Sequence, residues 1–239
     1  MEWKTAITNI HANRETIRGE PLQDLIRQKT FVEAVFLILR GRLPEKNETR
    51  MMNALLTAAI DHGIGTASAM TARIVASAKN SMHTALAAGI LAMGELHGGA
   101  TEGAGKFFQE HVGEEDVDAL VKSYKDHGLR IPGFGHAMLT HDERSEALFA
   151  IAKTEKIYGK HCVFAEQVFK SLNTQSSKAL PLNVDGAMGA ILSDMGFDSR
   201  LMKGIFIIAR IPGLVAQVYE EMMSGPGLRR LKEDEITYV

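Results

Sequence analysis

Two histidines and one aspartate in this chain each stand beside glycine. They are His97 in Glu95-Leu96-His97-Gly98-Gly99, His136 in Pro132-Gly133-Phe134-Gly135-His136, and Asp185 in Asn183-Val184-Asp185-Gly186. Glycine at a turn or helix end lets the backbone approach a ligand closely. Three acid/base groups presented this way can make or break a carbon–carbon bond next to a carbonyl. One moves the carbon-bound proton, one stabilises the enol(ate), and one handles the second carbonyl or hydroxyl. Taken singly, each has a plainer reading: a helix-capping histidine at His97, a loop histidine at His136, an N-cap aspartate at Asp185.

Arg210 lies in the apolar run Ile207-Ile208-Ala209-Arg210-Ile211-Pro212-Gly213. An arginine in such surroundings needs an anionic partner, and its planar guanidinium suits a carboxylate of the protein or of a ligand. Arg144, eight residues after His136, and His62, before Gly63, could add to a polyanion site; a surface arginine and a loop histidine are their alternatives.

The elements that must position these groups read as helices. Thr30-Phe31-Val32-Glu33 has the pattern of a capping box, followed by an apolar run to Arg40 and a stop at Gly41. This helix is apolar nearly all round, which predicts a core position. Helical periodicity continues over Met51–Ile60, Ser68–Ala78, Ser81–Leu96, Glu114–His127, Glu143–Tyr158 and Lys160–Leu172. Asn183–Met195, Ser199–Ala209 and Leu214–Met223 complete the set, with a break expected at Pro212. Strand signals are confined to Thr5–Ile10 and Thr16–Arg18, one short hairpin around Asn13. The expected class is all-α with at most that hairpin.

With 239 residues, 45% of them hydrophobic and 23% charged, the chain has ordinary globular composition. A net charge of −2 provides no electrostatic footprint for nucleic acid or an anionic membrane. The single cysteine, Cys162, excludes an internal disulfide. The opening residues carry no basic stretch ahead of an apolar run, and Gly204–Val218 is interrupted by Arg210, Pro212 and Gln217. No membrane association and a cytoplasmic location are therefore expected. No histidine or cysteine spacing resembles a zinc site, so no metal is expected.

At these residues the chain resembles the citrate synthase superfamily. It is most similar to citryl-CoA lyases and to the citrate synthase-like C-terminal module of ATP-citrate lyase. The likeness begins at Trp3-Lys4-Thr5-Ala6-Ile7-Thr8 and Arg18-Gly19 with Asp24-Leu25-Ile26. It continues through Asp61-His62-Gly63, the three glycine-flanked fragments and Arg210 with Gly213, and ends in Asp234-Glu235-Ile236-Thr237-Tyr238-Val239. The resemblance implies that Asp185 exchanges a proton with the acetyl methyl carbon. It implies that His97 holds the thioester carbonyl as its enol(ate), and that His136 meets the oxaloacetate carbonyl or citryl hydroxyl. By the same likeness His62, Arg144 and Arg210 bind carboxylates, and Arg230 matches an arginine that family members often contribute to a neighbouring subunit's site. It further implies a discontinuous large helical domain, 1–99 with 200–239, and a smaller helical domain, 100–199, closing over coenzyme A. Gly133, Phe134 and Gly135 are the expected contacts to that molecule, which is part of substrate and product; no tightly bound cofactor is expected.

The expected activity is that of a citryl-CoA lyase, producing acetyl-CoA and oxaloacetate, in a homodimer or homotetramer. A short citrate synthase or 2-methylcitrate synthase is the alternative enzyme. A non-catalytic helical scaffold is the alternative outside catalysis, disfavoured by the presence of Asp185 and both histidines.

Overall fold

The computed structural model describes residues 2–95, 97–135 and 141–239. Three short strands open the chain: β1 (Thr8–His11), β2 (Arg14–Ile17) and β3 (Glu20–Pro21), antiparallel in the order β1-β2-β3. His11 pairs with Arg14 across a two-residue turn. Its central residues Ala12 and Asn13 both have positive φ, 48° and 62°, the turn whose twist suits a tight hairpin. Arg18 fastens this ribbon to the helices by donating from Nε and Nη2 to the Ile38 carbonyl at 3.1 and 2.9 Å. The expected hairpin is present, extended by the third strand.

Helices follow: α1 (Leu22–Gln28), α2 (Phe31–Arg40), α3 (Lys46–Ala58), α4 (Ala67–Ser77), α5 (Met82–Leu91) and α6 (Ala100–His111). The remainder are α7 (Val117–Asp126), α8 (Glu143–Thr154), α9 (Lys160–Gln175), α10 (Val184–Asp194) and α11 (Ser199–Ser224). The all-α expectation holds. The capping box of α2 is formed in both directions, Thr30 with Glu33, and Gly41 ends the helix at φ 76° with its N–H on the Leu37 carbonyl. The core position belongs to the middle of α2, Val35–Leu37, whereas Phe31 at its start is exposed.

Three departures have physical causes. Helix α5 stops at Leu91 rather than at residue 96, because the Gly94 carbonyl turns the chain by accepting from the N–H groups of His97 and Gly99. Helix α6 lies in a stretch with Gly98, Gly99, Gly103 and Gly105, whose low helix propensity hides it from a reading by pattern. Helix α11 runs unbroken through Pro212. Pro212 lies on the exposed face, where the carbonyl one turn back can face solvent, while Ala209, Arg210, Gly213 and Leu214 are buried on the other side.

Helix α10 is the buried axis of one group, packed on α6, α8 and α9; α11 packs on α3, α4, α5 and α6. Every residue from Gly186 to Ser193 is buried. Close approach of α6 and α10 depends on small residues: a Cβ on Gly189 would fall 2.8 Å from the Gly105 nitrogen and 3.0 Å from Ala104 Cβ. At its far end α10 sends Asp194 onto the start of α9, where the carboxylate accepts from the N–H groups of Gly159, His161 and Cys162 at 2.8–3.0 Å. Arg40 of α2 donates to the Gly196 carbonyl and lies 5.1 Å over the Phe197 ring, closing the same end. Helix α11 has the length and composition of a membrane span, yet its packed side carries buried Arg210 and Glu221.

Replacing Gly189 with valine should force α6 and α10 apart and destabilise the chain by about 2 kcal/mol or more. Urea titration followed by circular dichroism measures this.

Candidate active site

The turn Pro132–Gly135 and the segment Pro181–Asn183 are laced together ahead of α10. Phe134 pairs with Leu182 in an antiparallel bridge, and Gly135 donates its N–H to the Pro181 carbonyl at 2.7 Å. The Asn183 N–H reaches the Gly133 carbonyl at 3.0 Å, its Nδ2 reaches the Gly135 carbonyl at 2.9 Å, and its Oδ1 caps α10 by accepting from Gly186. Gly133 has φ 88°, and a Cβ there would lie 2.6 Å from Gly186 Cα. Only a glycine pair allows this crossing. The turn that leads to His136 is thereby fixed against the first turn of the helix that carries Asp185. His136 itself lies outside the described residues.

Asp185 sits in that first turn, where unpaired helical N–H groups favour a negative charge. Thr101, fully buried in the first turn of α6, donates to Asp185 Oδ1 at 2.5 Å. Burial pushes the Asp185 carboxyl above its ordinary value, against the hydrogen bond from Thr101 and the charges of Arg144 and Arg210. A carboxyl held between burial and cations is suited to exchanging a proton.

His97 stands in the glycine turn between α5 and α6 and shares a hydrogen bond of 2.8 Å with the buried Ser68 hydroxyl of α4. Burial is the main cause holding its imidazole below the usual histidine range. The nearby charges of Arg210 and His62 add to this, and Asp185 opposes it. The ring is therefore neutral at pH 7 and can donate a hydrogen bond to a developing enolate without first losing a proton. Gly98, with φ 78°, lets this turn lie on Phe206: a Cβ there would be 3.1 Å from its ring.

The Phe206 ring also supports Arg210, whose guanidinium carbon lies 4.9 Å from its centroid. Arg210 is 3% exposed, donates from Nε to the Ala59 carbonyl at 2.7 Å, and leaves Nη1 buried without a partner among the described residues. Arg144 is gripped by Asp142, which accepts from Nε and Nη2 at 2.9 and 2.8 Å, and its Nη1 comes within 3.4 Å of His62 Nδ1. Asp142 also caps α8 and takes the Val184 N–H at 3.0 Å. Burial would raise the Asp142 carboxyl, but the bonds and charge of Arg144 with the amides of Val184 and Arg144 outweigh it and keep it ionised.

The structure thus brings His62, His97, Arg144, Asp185 and Arg210 into one electrostatic neighbourhood, beside the turn Gly133–Gly135. It leaves Arg230 apart: that side chain is exposed beyond α11 and pairs with none of these groups among the described residues. Four contributors escape a sequence reading: Ser68, Thr101, Asp142 and Phe206. Asp142 alone left a signal, an aspartate at the start of a helix. A cavity of about 740 Å³ opens along the other side of the glycine turn, bordered by Lys125, Arg130, Phe134, Gly135 and Leu180. Among the described residues no histidine, cysteine and carboxylate cluster is arranged to hold a metal ion.

Comparison with known proteins agrees with this architecture. The sequence model of the family described as "Citrate synthase, C-terminal domain" matches residues 45–231. The ATP-citrate synthase beta chain protein 1 of Arabidopsis thaliana is 25% identical over 240 residues, covering 92% of this chain and 39% of that protein. Citrate synthase 2 of Bacillus subtilis is 30% identical over 187 residues, covering 77% of this chain and 50% of that protein. The chain therefore spans between a third and a half of the length of these relatives. Among solved structures, citryl-CoA lyase from Hydrogenobacter thermophilus superposes with a TM-score of 0.94 at 47% identity, covering 99% of this chain and 94% of that one. With the family's sequence pattern matched from α3 to beyond α11 and the helical fold shared throughout, the chain belongs to the citrate synthase family.

Proposed function

We propose that the protein is a citryl-CoA lyase, cleaving citryl-CoA to acetyl-CoA and oxaloacetate. The observation that carries this reading is the likeness to the Hydrogenobacter thermophilus citryl-CoA lyase along almost the full length of both chains. The grouping of a half-buried carboxyl, a neutral histidine and two arginines supports it, because that set matches the charges such a reaction develops.

In this mechanism Arg144, Arg210 and His62 bind the carboxylates of the citryl group. His136 takes the proton of the citryl hydroxyl, the carbon–carbon bond breaks, and the former hydroxyl carbon becomes the ketone of oxaloacetate. The electron pair passes to the thioester as its enol(ate), whose oxygen accepts a hydrogen bond from neutral His97. Asp185, protonated, then delivers its proton to the methylene carbon and leaves acetyl-CoA. Burial of Asp185 serves this last step, since it favours the protonated acid. The coenzyme A portion passes the backbone of Gly133, Phe134 and Gly135, with its nucleotide end in the adjacent cavity. Closure of residues 100–199 against residues 1–99 and 200–239 would exclude water from the enol(ate). Arg230, exposed in one subunit, completes the site of a neighbour in a homodimer or homotetramer; the chemistry is placed in the cytoplasm.

The deciding assay supplies (3S)-citryl-CoA and follows oxaloacetate through malate dehydrogenase, in parallel with thiol release from acetyl-CoA plus oxaloacetate. Oxaloacetate formation with little free thiol is expected; steady thiol release would make the protein a synthase. His97→Ala should lower the cleavage rate by roughly two to three decades, the usual effect of removing one oxyanion donor.

Asp185→Asn should abolish cleavage and yet stabilise the fold at neutral pH. The native carboxyl titrates above its ordinary value of 3.8, so its favourable state is the protonated one below that pH. That stability is lost as the pH rises through the native pKa. The melting temperature of Asp185→Asn should thus exceed that of the wild type at pH 7, with the difference shrinking as the pH approaches 4. Calorimetric scans across this range check the sign.

A further inference from the structure

One face of α11 carries Arg210, Gly213, Gln217 and Glu221, and each meets something that reaches beyond the helix. Gly213 lets α11 press onto the turn after α3, where a Cβ would lie 2.8 Å from Asp61 Cβ. Asp61 thereby lies close enough for its charge to act on Arg210, one turn earlier on the same face. Asp61 Oδ1, like Arg210 Nη1, is buried without a hydrogen-bond partner among the described residues. Asp61 Oδ2 accepts from the Gly63 N–H at 3.0 Å and from Gln217 Nε2 at 3.3 Å. The other end of the Gln217 amide accepts from Arg73 Nη1 at 2.8 Å, and Arg73 Nε donates to Glu221 at 2.8 Å. Glu221 is 4% exposed and is also held by Arg229 through Nε and Nη2 at 2.8 and 2.7 Å. Arg229 belongs to the segment after α11, and its N–H donates to Ser77 Oγ on α4.

We infer that Asp61 and Gln217 are positioning residues for Arg210. Asp61 supplies the counter-charge that keeps the guanidinium fork in place, and Gln217 fixes Asp61 by tying it to the Arg73–Glu221–Arg229 clamp. The Ala59 carbonyl and the Phe206 ring set the plane of the Arg210 guanidinium, and the charge of Asp61 acts on the cation across space to hold it in that plane. A buried cation whose neighbouring anion is itself held arrives ordered at the ligand carboxylate and loses little freedom on binding. The clamp lies on the distant half of α11 and makes the C-terminal segment part of the same support.

This inference rests on Arg210 as a carboxylate-binding group, so the test measures binding directly. Titration calorimetry with oxaloacetate and, separately, with coenzyme A would be run on wild type, Gln217→Met, Gln217→Glu and Asp61→Asn. Circular dichroism would confirm that each is folded. Weakening of oxaloacetate binding by about tenfold is expected in all three variants, from a misplaced guanidinium, with coenzyme A binding unchanged. In turnover the same variants should raise KM for oxaloacetate in the condensation direction more than they lower kcat. Gln217→Glu keeps the acceptor for Arg73 but removes the donor to Asp61. If it binds like wild type while Gln217→Met is weakened, Gln217 serves only to dock α4 on α11 and the inference is wrong. Tighter binding by Asp61→Asn would also overturn it, since Asp61 would then compete with the ligand. Failure of the wild type to bind oxaloacetate would instead defeat the functional reading itself.

Discussion

A half-buried carboxyl group, among cations that do not neutralise it by direct contact, is the constraint on which this site is built. Asp185 touches a hydroxyl, Thr101, and feels the charges of Arg144 and Arg210 only across space. Had an arginine fork closed on it, the carboxyl would be locked as an anion and lost to proton transfer. The arginines are instead committed elsewhere, Arg144 to Asp142 and Arg210 to the Ala59 carbonyl. The glycine crossing of residues 133 and 186 and the close seam between α6 and α10 exist to bring these parts within reach without letting them pair.

The charge balance of the site follows from the same arrangement. A protein of net charge −2 can accommodate a polyanion where positive groups are concentrated in one place and their counter-charges are placed behind them. Asp142 stands behind Arg144 and Asp61 beside Arg210. Each arginine then presents an outer nitrogen while its charge remains partly compensated, which limits the cost of burying it before the ligand arrives.

Much of this was legible in the sequence where the physics is local. The capping box at Thr30–Glu33, the stop at Gly41 and the periodic helices act over one or two turns, and they appear as expected. The glycine-flanked acid/base residues were visible because close approach demands glycine. What was hidden depends on partners distant in sequence. Helix α6 is poor in helix formers and is held by packing on α10 and α11, so no window of its own residues reveals it. Pro212 is accommodated because one face of α11 is buried and the other is open. Thr101 and Ser68 acquire their roles from Asp185 and His97, 84 and 29 residues away in the chain, and nothing about a buried threonine or serine announces that.

The grip of Asp194 on the start of α9 has a mechanical meaning for this site. Helix α10 is pinned at its front by Asn183 and Asp142, and at its rear by three backbone amides of another helix. It cannot slide along its own axis, nor rotate about it, without breaking bonds at both ends at once. The position of Asp185 is therefore tied to α8 through Asp142 and to α9 through Asp194, so that two neighbouring helices together fix where α10 presents it.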